Sequence, residues 1–242
     1  MKIAAVIPSR YQSSRFPGKP LAVIRGMSML ERVYRQVEKC GRFSDILVAT
    51  DDERILAEVQ RFAGRAVMTD NRHTSGTERL WEVIEKSDFA GAVNIQGDEP
   101  AIPPQLIAAL YDELERGQYP VVTAAYLNDS LEDFQAENVV KVVLDRNLQA
   151  LYFSRSPVPF IKAADFKNFY QHLGIYGYSR EALKTFVKSP GAESEKREKL
   201  EQLRFLENGI PIKVILSQEK SHGVDVPGDI SRIEKILDEQ NG

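Results

Sequence analysis

Four consecutive alternations of an apolar strand pattern with an amphipathic helix pattern, joined by short connections, predict an α/β protein. Beyond residue 120 the patterning turns β-rich, and no Ser/Gly linker separates the two halves. The expected architecture is a mostly parallel, twisted sheet with helices on both faces and a mixed-sheet elaboration in the second half, in one domain spanning residues 1–242.

The elements follow in order. Residues 2–8 carry the apolar run Ile3 to Ile7 and read as a buried strand, followed by a cationic loop interrupted by Pro17, Gly18 and Pro20. Ser28 and Glu31 then form a capping box ahead of Met29, Leu30, Val33 and Val37, which keep a helical period until Gly41. Residues 46–49 are a short apolar strand ending in Asp51 and Asp52, which can cap a helix carrying Ile55, Leu56, Val59 and Phe62. Residues 66–68 give a third strand, and Ser75 with Glu78 a second capping box before Leu80, Trp81, Val83 and Ile84. Residues 92–95 form the fourth strand, and Pro103-Pro104 opens the helix of Leu106, Ile107, Leu110 and Leu114.

In the second half, residues 121–124, 139–143 and 150–153 read as strands. Residues 163–178 are aromatic and loop-like, and a charged helix is expected from 193 to 208 with Gly209 as its stop. A strand at 212–216 and a helix after Pro227 complete the chain. Tyr152 and Tyr178 are expected to pack on strands, and the charges of residues 193–199 to form a solvated helix face.

Composition narrows the function. The chain has 242 residues, 43% of them hydrophobic and 28% charged, which is enough apolar surface for a full core and excludes a disordered protein. No apolar run reaches the roughly 18 residues of a membrane span. The single cysteine, Cys40, excludes a disulfide framework, no Cys/His cluster has zinc spacing, and a reducing compartment is expected. A net charge of −3 argues against general nucleic-acid affinity, yet residues 1–30 hold five cations and no carboxylate. A basic, Ser-rich start also suits a transit peptide, but the buried strand at 2–8 and the broken helix after it favour a strand followed by a cationic loop.

In open α/β sheets, ligands bind at the carboxyl ends of strands. Four such loops carry unusual residues. The first sets Arg10, Arg15 and Lys19 around Gly18, which suits a polyanion such as a triphosphate or, alternatively, surface ion pairs; it is not a Walker motif. The second, residues 69–79, offers hydroxyl and amide groups for a base edge or for caps and turns. The third places Asp98 and Glu99 after Gly97, where carboxylates can hold Mg²⁺ against phosphates or cap the next helix. The fourth, residues 223–227, brings Asp225 before a Pro-started helix and, by itself, reads as a capping turn. Together they describe a site for a polyphosphate and a metal.

Residues 7–21, from Ile-Pro-Ser-Arg to Arg-Phe-Pro-Gly-Lys-Pro-Leu, resemble the nucleotide-binding signature of sugar nucleotidyltransferases. Further matches stand at 48–51 (Val-Ala-Thr-Asp), 68–69 (Met-Thr), 73–79 (His-Thr-Ser-Gly-Thr-Glu-Arg) and 94–100 (Asn-Ile-Gln-Gly-Asp-Glu-Pro). Others stand at 140–145, 150–155, 172–178, 200–204 and 223–225, so the resemblance covers nearly the whole chain. The family they resemble is the 3-deoxy-manno-octulosonate cytidylyltransferases, or CMP-Kdo synthetases. The resemblance implies a Rossmann-like fold of the nucleotide-diphospho-sugar transferase type. It also implies a Mg²⁺-dependent, cytoplasmic homodimer that joins CTP to the eight-carbon acidic sugar Kdo for lipopolysaccharide assembly, with no membrane or nucleic-acid partner. Residues 1–120 then form mainly the CTP-binding half, and 121–242 mainly the sugar-binding and dimerisation half.

By the same resemblance, Pro8, Arg10, Arg15, Lys19, Ser75 and Gly76 bind CTP, Arg10, Lys19, Asp98 and Asp225 act in catalysis, and Asp98 and Asp225 ligate the metal. Gln96, Arg155, His172, Tyr176, Glu201 and Gln202 fall to the sugar, with Glu198 also turned inward. His172, in the run Leu-Gly-Ile-Tyr, also reads as a hydrogen-bonded core histidine. Segments 160–170 and 190–199 depart from the family pattern, which leaves 8-amino-Kdo or a sialic-acid-like sugar as alternative substrates. A CTP-binding regulator without turnover is the alternative of another class.

Overall fold

The apolar residues at the start of the chain become β1 (Ile3–Ser9), in which Ile3 to Ile7 are all buried because strands pair with it on both sides. The computed structural model describes residues 1–13, 15–73 and 75–241. The chain divides into two units, Met1–Tyr111 with Ser221–Gly242, and Asp112–Lys220. The last segment therefore returns to the first unit, a return that the expected partition at residue 120 does not contain.

In the first unit β1 leads into a tight turn at Lys19–Leu21, then β2 (Val23–Ile24), β3 (Met27–Ser28) and α1 (Met29–Cys40). Next come β4 (Ile46–Thr50), α2 (Glu53–Arg61), β5 (Ala66–Met68), α3 (Gly76–Glu85), β6 (Gly91–Asn94) and α4 (Pro104–Glu115). The four expected strands pair in parallel in the order β6–β1–β4–β5, with Ala5 opposite both Val93 and Ile46, and Val48 opposite Ala66. The expected caps are present: Ser28 accepts from the Glu31 amide (3.1 Å), Asp52 from Arg54 (3.0 Å) and Ser75 from Glu78 (3.2 Å). The β2–β3 hairpin has no counterpart in the sequence reading. Its two-residue strands are too short for periodicity, and the signal lies in Arg25 and Gly26, both at positive φ as a two-residue hairpin turn demands.

The second unit contains β7 (Val121–Asn128), α5 (Leu131–Gln135), β8 (Lys141–Leu144), β9 (Ala150–Ser154) and β10 (Phe169–Ser179). It continues with α6 (Arg180–Lys188), α7 (Glu193–Glu198), α8 (Leu203–Glu207) and β11 (Ile212–Ser217). β7 pairs in parallel with β11 and antiparallel with β10, and β8 antiparallel with β9, which is the mixed sheet expected here.

Three expectations need correction. The aromatic stretch 163–178 is not a loop throughout, because β10 pairs along β7 from Phe169 to Tyr178; a bulge between Leu173 and Tyr176 hides the alternation. The charged helix 193–208 is two short helices. Lys199 breaks it at φ 55, the Glu198 carboxylate is drawn to Ser154 Oγ (2.7 Å) and the Arg155 amide (2.8 Å), and Glu195 leaves the solvated face to pair with Arg204 at 2.5 Å. Tyr178 packs as expected, stacked on Tyr176 and Phe205, but Tyr152 is exposed.

α9 (Asp229–Asn241) completes the first unit. Its Ile233 and Leu237 pack with Ile24, Met29, Ala101 and Val224, and Phe16 covers the cluster. The C-terminal helix thus braces the cationic loop. Among the described residues no helix is long and apolar enough to cross a membrane.

Candidate active site

The site in the first unit is built around Pro8, the penultimate residue of β1. A Cβ on Gly97 would stand 3.2 Å from the Pro8 carbonyl, so only glycine lets the loop after β6 approach this closely. A Cβ on Gly76, at the start of α3, would stand 3.8 Å from Pro8 Cγ. Three chain segments therefore meet at one residue.

The cationic loop folds back on itself. Gly18 lies at φ 72, donates its amide to the Tyr11 carbonyl at 2.8 Å and faces the Tyr11 ring, which a Cβ would meet at 3.2 Å. The guanidinium of Arg54 covers the same ring at 3.2 Å. The turn presents Lys19, whose ammonium donates to Asp98 Oδ2 at 2.6 Å and to the Val224 carbonyl at 2.9 Å. The Val224 amide donates to the Asp98 carbonyl at 2.9 Å, tying the loop of Asp98 to that of Asp225. Arg15 pairs with Asp225 at 2.9 Å in an exposed position. Arg10 turns the other way and donates to the carbonyls of His73 and Ser75.

The structure gathers Lys19, Asp98, Arg15 and Asp225, with Pro8 and Arg10 on one adjoining segment and Ser75 and Gly76 on another. Ser75 Oγ serves as the α3 cap, and Gln96 stands part-buried two residues before Asp98. Thr74 of the same motif lies outside the described residues, as does Ser14 of the cationic loop.

Other groups in this unit have partners that the sequence does not disclose. Asp229, near the start of α9, accepts the amides of Asp225 (2.8 Å) and Val226 (3.1 Å) and so performs the capping that Asp225 alone suggested. Glu99 accepts the Ser221 hydroxyl; burial and the neighbouring Asp98 charge push its carboxyl up to about 7 against that bond. Arg79, fully buried, donates to Asp51 at 2.8 Å and to Thr69 Oγ1 at 2.5 Å. Each was visible in the sequence as a motif residue or a cap, but its partner lies too far along the chain for spacing to disclose.

The donor set suits magnesium. Mg²⁺ is commonly held by one or two carboxylates together with substrate phosphates, not by an all-protein cage. Asp98 and Asp225 present hard carboxylate oxygens of that kind, on loops tied together by the Val224–Asp98 backbone hydrogen bond.

The second unit carries the remaining predicted residues. His172 and Tyr176 lie on β10 with their rings 5.4 Å apart. Thr123 Oγ1 donates to the Ile175 carbonyl (2.8 Å) and meets His172 Nε2 at 3.1 Å, and burial pushes the imidazole down to about 3, so it is neutral at pH 7. Burial, with smaller contributions from the Tyr178 and Glu201 charges, raises the Tyr176 hydroxyl well above its ordinary value. Gln202 Nε2 is buried without a hydrogen-bond partner among the described residues, and Tyr176 Oη is buried beside the Thr123 hydroxyl. Arg155 is committed elsewhere, donating to the carbonyls of Glu198 (2.8 Å) and Glu137 (3.1 Å).

A cytidylyltransferase family model matches residues 4–220. The chain is 48% identical to the 3-deoxy-manno-octulosonate cytidylyltransferase of Syntrophobacter fumaroxidans, covering 98% of this chain and 97% of that one. It is 43% identical to the enzyme of the same name from Thermodesulfovibrio yellowstonii, covering 98% of each. A solved structure of CMP:2-keto-3-deoxy-manno-octonic acid synthetase complexed with CTP matches with a TM-score of 0.94 and 38% identity, over 99% of this chain and 100% of that one. A glucose-1-phosphate thymidylyltransferase structure from Bacillus anthracis, 14% identical, shares the fold alone, with a TM-score of 0.70 over 97% of this chain and 94% of that one.

Proposed function

The chain belongs to the cytidylyltransferase family, among the 3-deoxy-manno-octulosonate cytidylyltransferases, and from that premise we propose that it joins CTP to Kdo, giving CMP-Kdo and pyrophosphate. The observation that carries this reading is the contact of Lys19 with Asp98 and with Val224, next to Asp225, beneath the Pro8 segment. It brings cations for a triphosphate beside carboxylates for a metal.

In this reading the anomeric hydroxyl of the sugar attacks the α-phosphorus of CTP, the bond to the β-phosphate oxygen breaks, and pyrophosphate leaves. Such a step requires positioning and charge neutralisation more than covalent help. Arg10, Arg15 and Lys19 bind the triphosphate and offset charge growing on the leaving group. Pro8, Ser75 and Gly76 border the nucleotide. Asp98 and Asp225 hold Mg²⁺, whose contribution when bound is to neutralise phosphate charge and acidify a hydroxyl that it polarises. His172, Tyr176, Glu201 and Gln202, with Gln96 and Arg155, are assigned to the sugar, Arg155 through the guanidinium edge that the Glu198 and Glu137 carbonyls do not occupy; the unpartnered Gln202 atom supports this.

We place the reaction in the cytoplasm, where CTP is held, and its product in lipopolysaccharide assembly. Exposed Leu127, Leu151 and Phe160 of the second unit support pairing with a second copy of the chain. The test is incubation with CTP, Mg²⁺ and each of Kdo, 8-amino-Kdo and sialic acid, following pyrophosphate and the CMP-sugar. Kdo is expected to be used best. Preference for another acidic sugar would reassign the substrate, and CTP binding without pyrophosphate release from any of them would make the protein a regulator.

A further inference from the structure

Arg10 is held by backbone, and that backbone is itself held. Its guanidinium donates to the His73 carbonyl and lies 3.5 Å from the Ser75 carbonyl. A guanidinium has five N–H donors, so these two contacts orient it while leaving donors for phosphate. The direction of the His73 carbonyl depends on how residue 73 is anchored. Its imidazole Nε2 lies 2.6 Å from Glu82 Oε2, on α3, and the same oxygen accepts the Asp70 amide at 2.9 Å. Lys86, one helical turn on, occupies Glu82 Oε1 at 2.7 Å.

Burial works against the Glu82 charge, but the hydrogen bonds from Lys86, the Asp70 amide and His73 outweigh it and hold the carboxyl down at about 2. Glu82 is therefore an ionised acceptor at neutral pH, and His73 Nε2 must carry the proton between them. Arg72 and Asp70 satisfy each other locally, Arg72 donating its amide (2.8 Å) and side chain to the Asp70 carboxylate, so the rest of the turn is self-contained. Glu82 is what ties it to the helix.

We infer that Glu82 is a positioning residue that aims Arg10 through the ring and carbonyl of His73, fixing the guanidinium for the triphosphate. This rests on the proposed reading of Arg10 as a CTP ligand. Glu82 itself touches no substrate. Its carboxylate acts as a clasp between α3 and the 70–73 turn, and the readout of that clasp is the affinity for nucleotide.

The experiment is calorimetric titration of CTP into the full chain and into E82Q, H73L, H73Q and R10A, with E82Q and H73L also built on R10A. E82Q and H73L are each expected to weaken CTP binding about tenfold, the scale of a lost charged hydrogen bond. H73Q keeps a nitrogen donor for Glu82 and is expected to stay within about threefold of the parent. On the R10A background E82Q and H73L should cost nothing further, because residues acting through one another are not additive. A merely structural role would lower the unfolding midpoint and reduce affinity by the same factor with or without Arg10. That result, or parent-like affinity in both E82Q and H73L, would overturn the inference. The ¹⁵N spectra of the His73 ring and the Arg10 side chain test the clasp apart from the function. If the parent bound no CTP, the functional reading would fail. A proton on His73 Nε2 in the parent, together with an Arg10 signal that shifts in E82Q, would still uphold the clasp, and an unmoved Arg10 signal would reject it.

Discussion

Lys19 Nζ lies 2.6 Å from Asp98 Oδ2, so a cation assigned to phosphate and a carboxylate assigned to metal neutralise each other within one first-unit cluster. Lys19 is 15% exposed and Asp98 35%, so water screens the pair in part. Triphosphate and Mg²⁺ arriving together would replace both partners at once, whereas either alone would leave one charge uncompensated.

Substitution of the carboxylates follows directly. D98N and D225N are each expected to lower turnover at saturating CTP by about a hundredfold or more, while the unfolding midpoint stays near that of the parent. Lys19 keeps its bond to the Val224 carbonyl in D98N, so the loop does not lose its anchor. Pyrophosphate release and thermal unfolding, measured side by side, check this. Near-parent turnover in both variants would remove the metal assignment.

Chelation separates catalysis from folding. The two carboxylates already have Lys19 and Arg15 as partners, so removing divalent metal leaves no bare charge cluster. Treatment with EDTA is expected to abolish pyrophosphate release, to change the unfolding temperature by no more than about 1 °C, and to be reversed by added Mg²⁺. A large fall in unfolding temperature would instead mark a structural metal.

The buried pair of Arg79 and Asp51 supports the 69–79 segment from below. Arg79 has no exposed surface, and D51A would leave its charge without a carboxylate. Breaking such a pair costs about 3 kcal/mol, expected as a lowered urea midpoint with an unchanged denaturant slope. An unchanged midpoint would show that Thr69 and solvent suffice for Arg79.

The fold was legible where local signals agree. Ser28, Asp52 and Ser75 stand before apolar periods and cap α1, α2 and α3, and the continuous apolar runs of the parallel strands fixed their order in the chain. Legibility failed where a tertiary contact overrides a local pattern. Glu195 leaves the solvated face for Arg204, and the bulge at 173–176 disguises β10, whereas the inward turn expected of Glu198 is met by its bond to Ser154. In the site, Lys19 and Asp98 were visible as types in suitable loops. That they touch, or that Asp229 orients the loop of Asp225 and Glu82 that of His73, depends on backbone geometry that no spacing encodes.

His172 gives the pH dependence. Burial against Phe153 and Tyr176 pushes its folded-state value to about 3, below the ordinary 6.5 of an unfolded histidine. As pH falls, the unfolded chain takes up this proton first. The stability is therefore fully present above about pH 6.5 and is lost progressively as pH falls from there towards 3, at up to about 1.4 kcal/mol per pH unit. The carboxylates held low by cations, Asp133 beside Lys220 among them, begin to lose their contribution as pH falls through the ordinary Asp value near 3.8 and lose the rest below it. The comparison belongs between pH 7 and 4.5, with urea unfolding of the parent and of H172Q. Glu99, held up to about 7 by burial, works in the opposite sense over the same window, because its folded form takes up the proton first. The expected result is a fall in stability with falling pH that is steeper in the parent than in H172Q by up to about 1.4 kcal/mol per pH unit. Equal slopes in the two proteins would mean that the imidazole is protonated in place, and that Thr123 and the ring stack accommodate the charge.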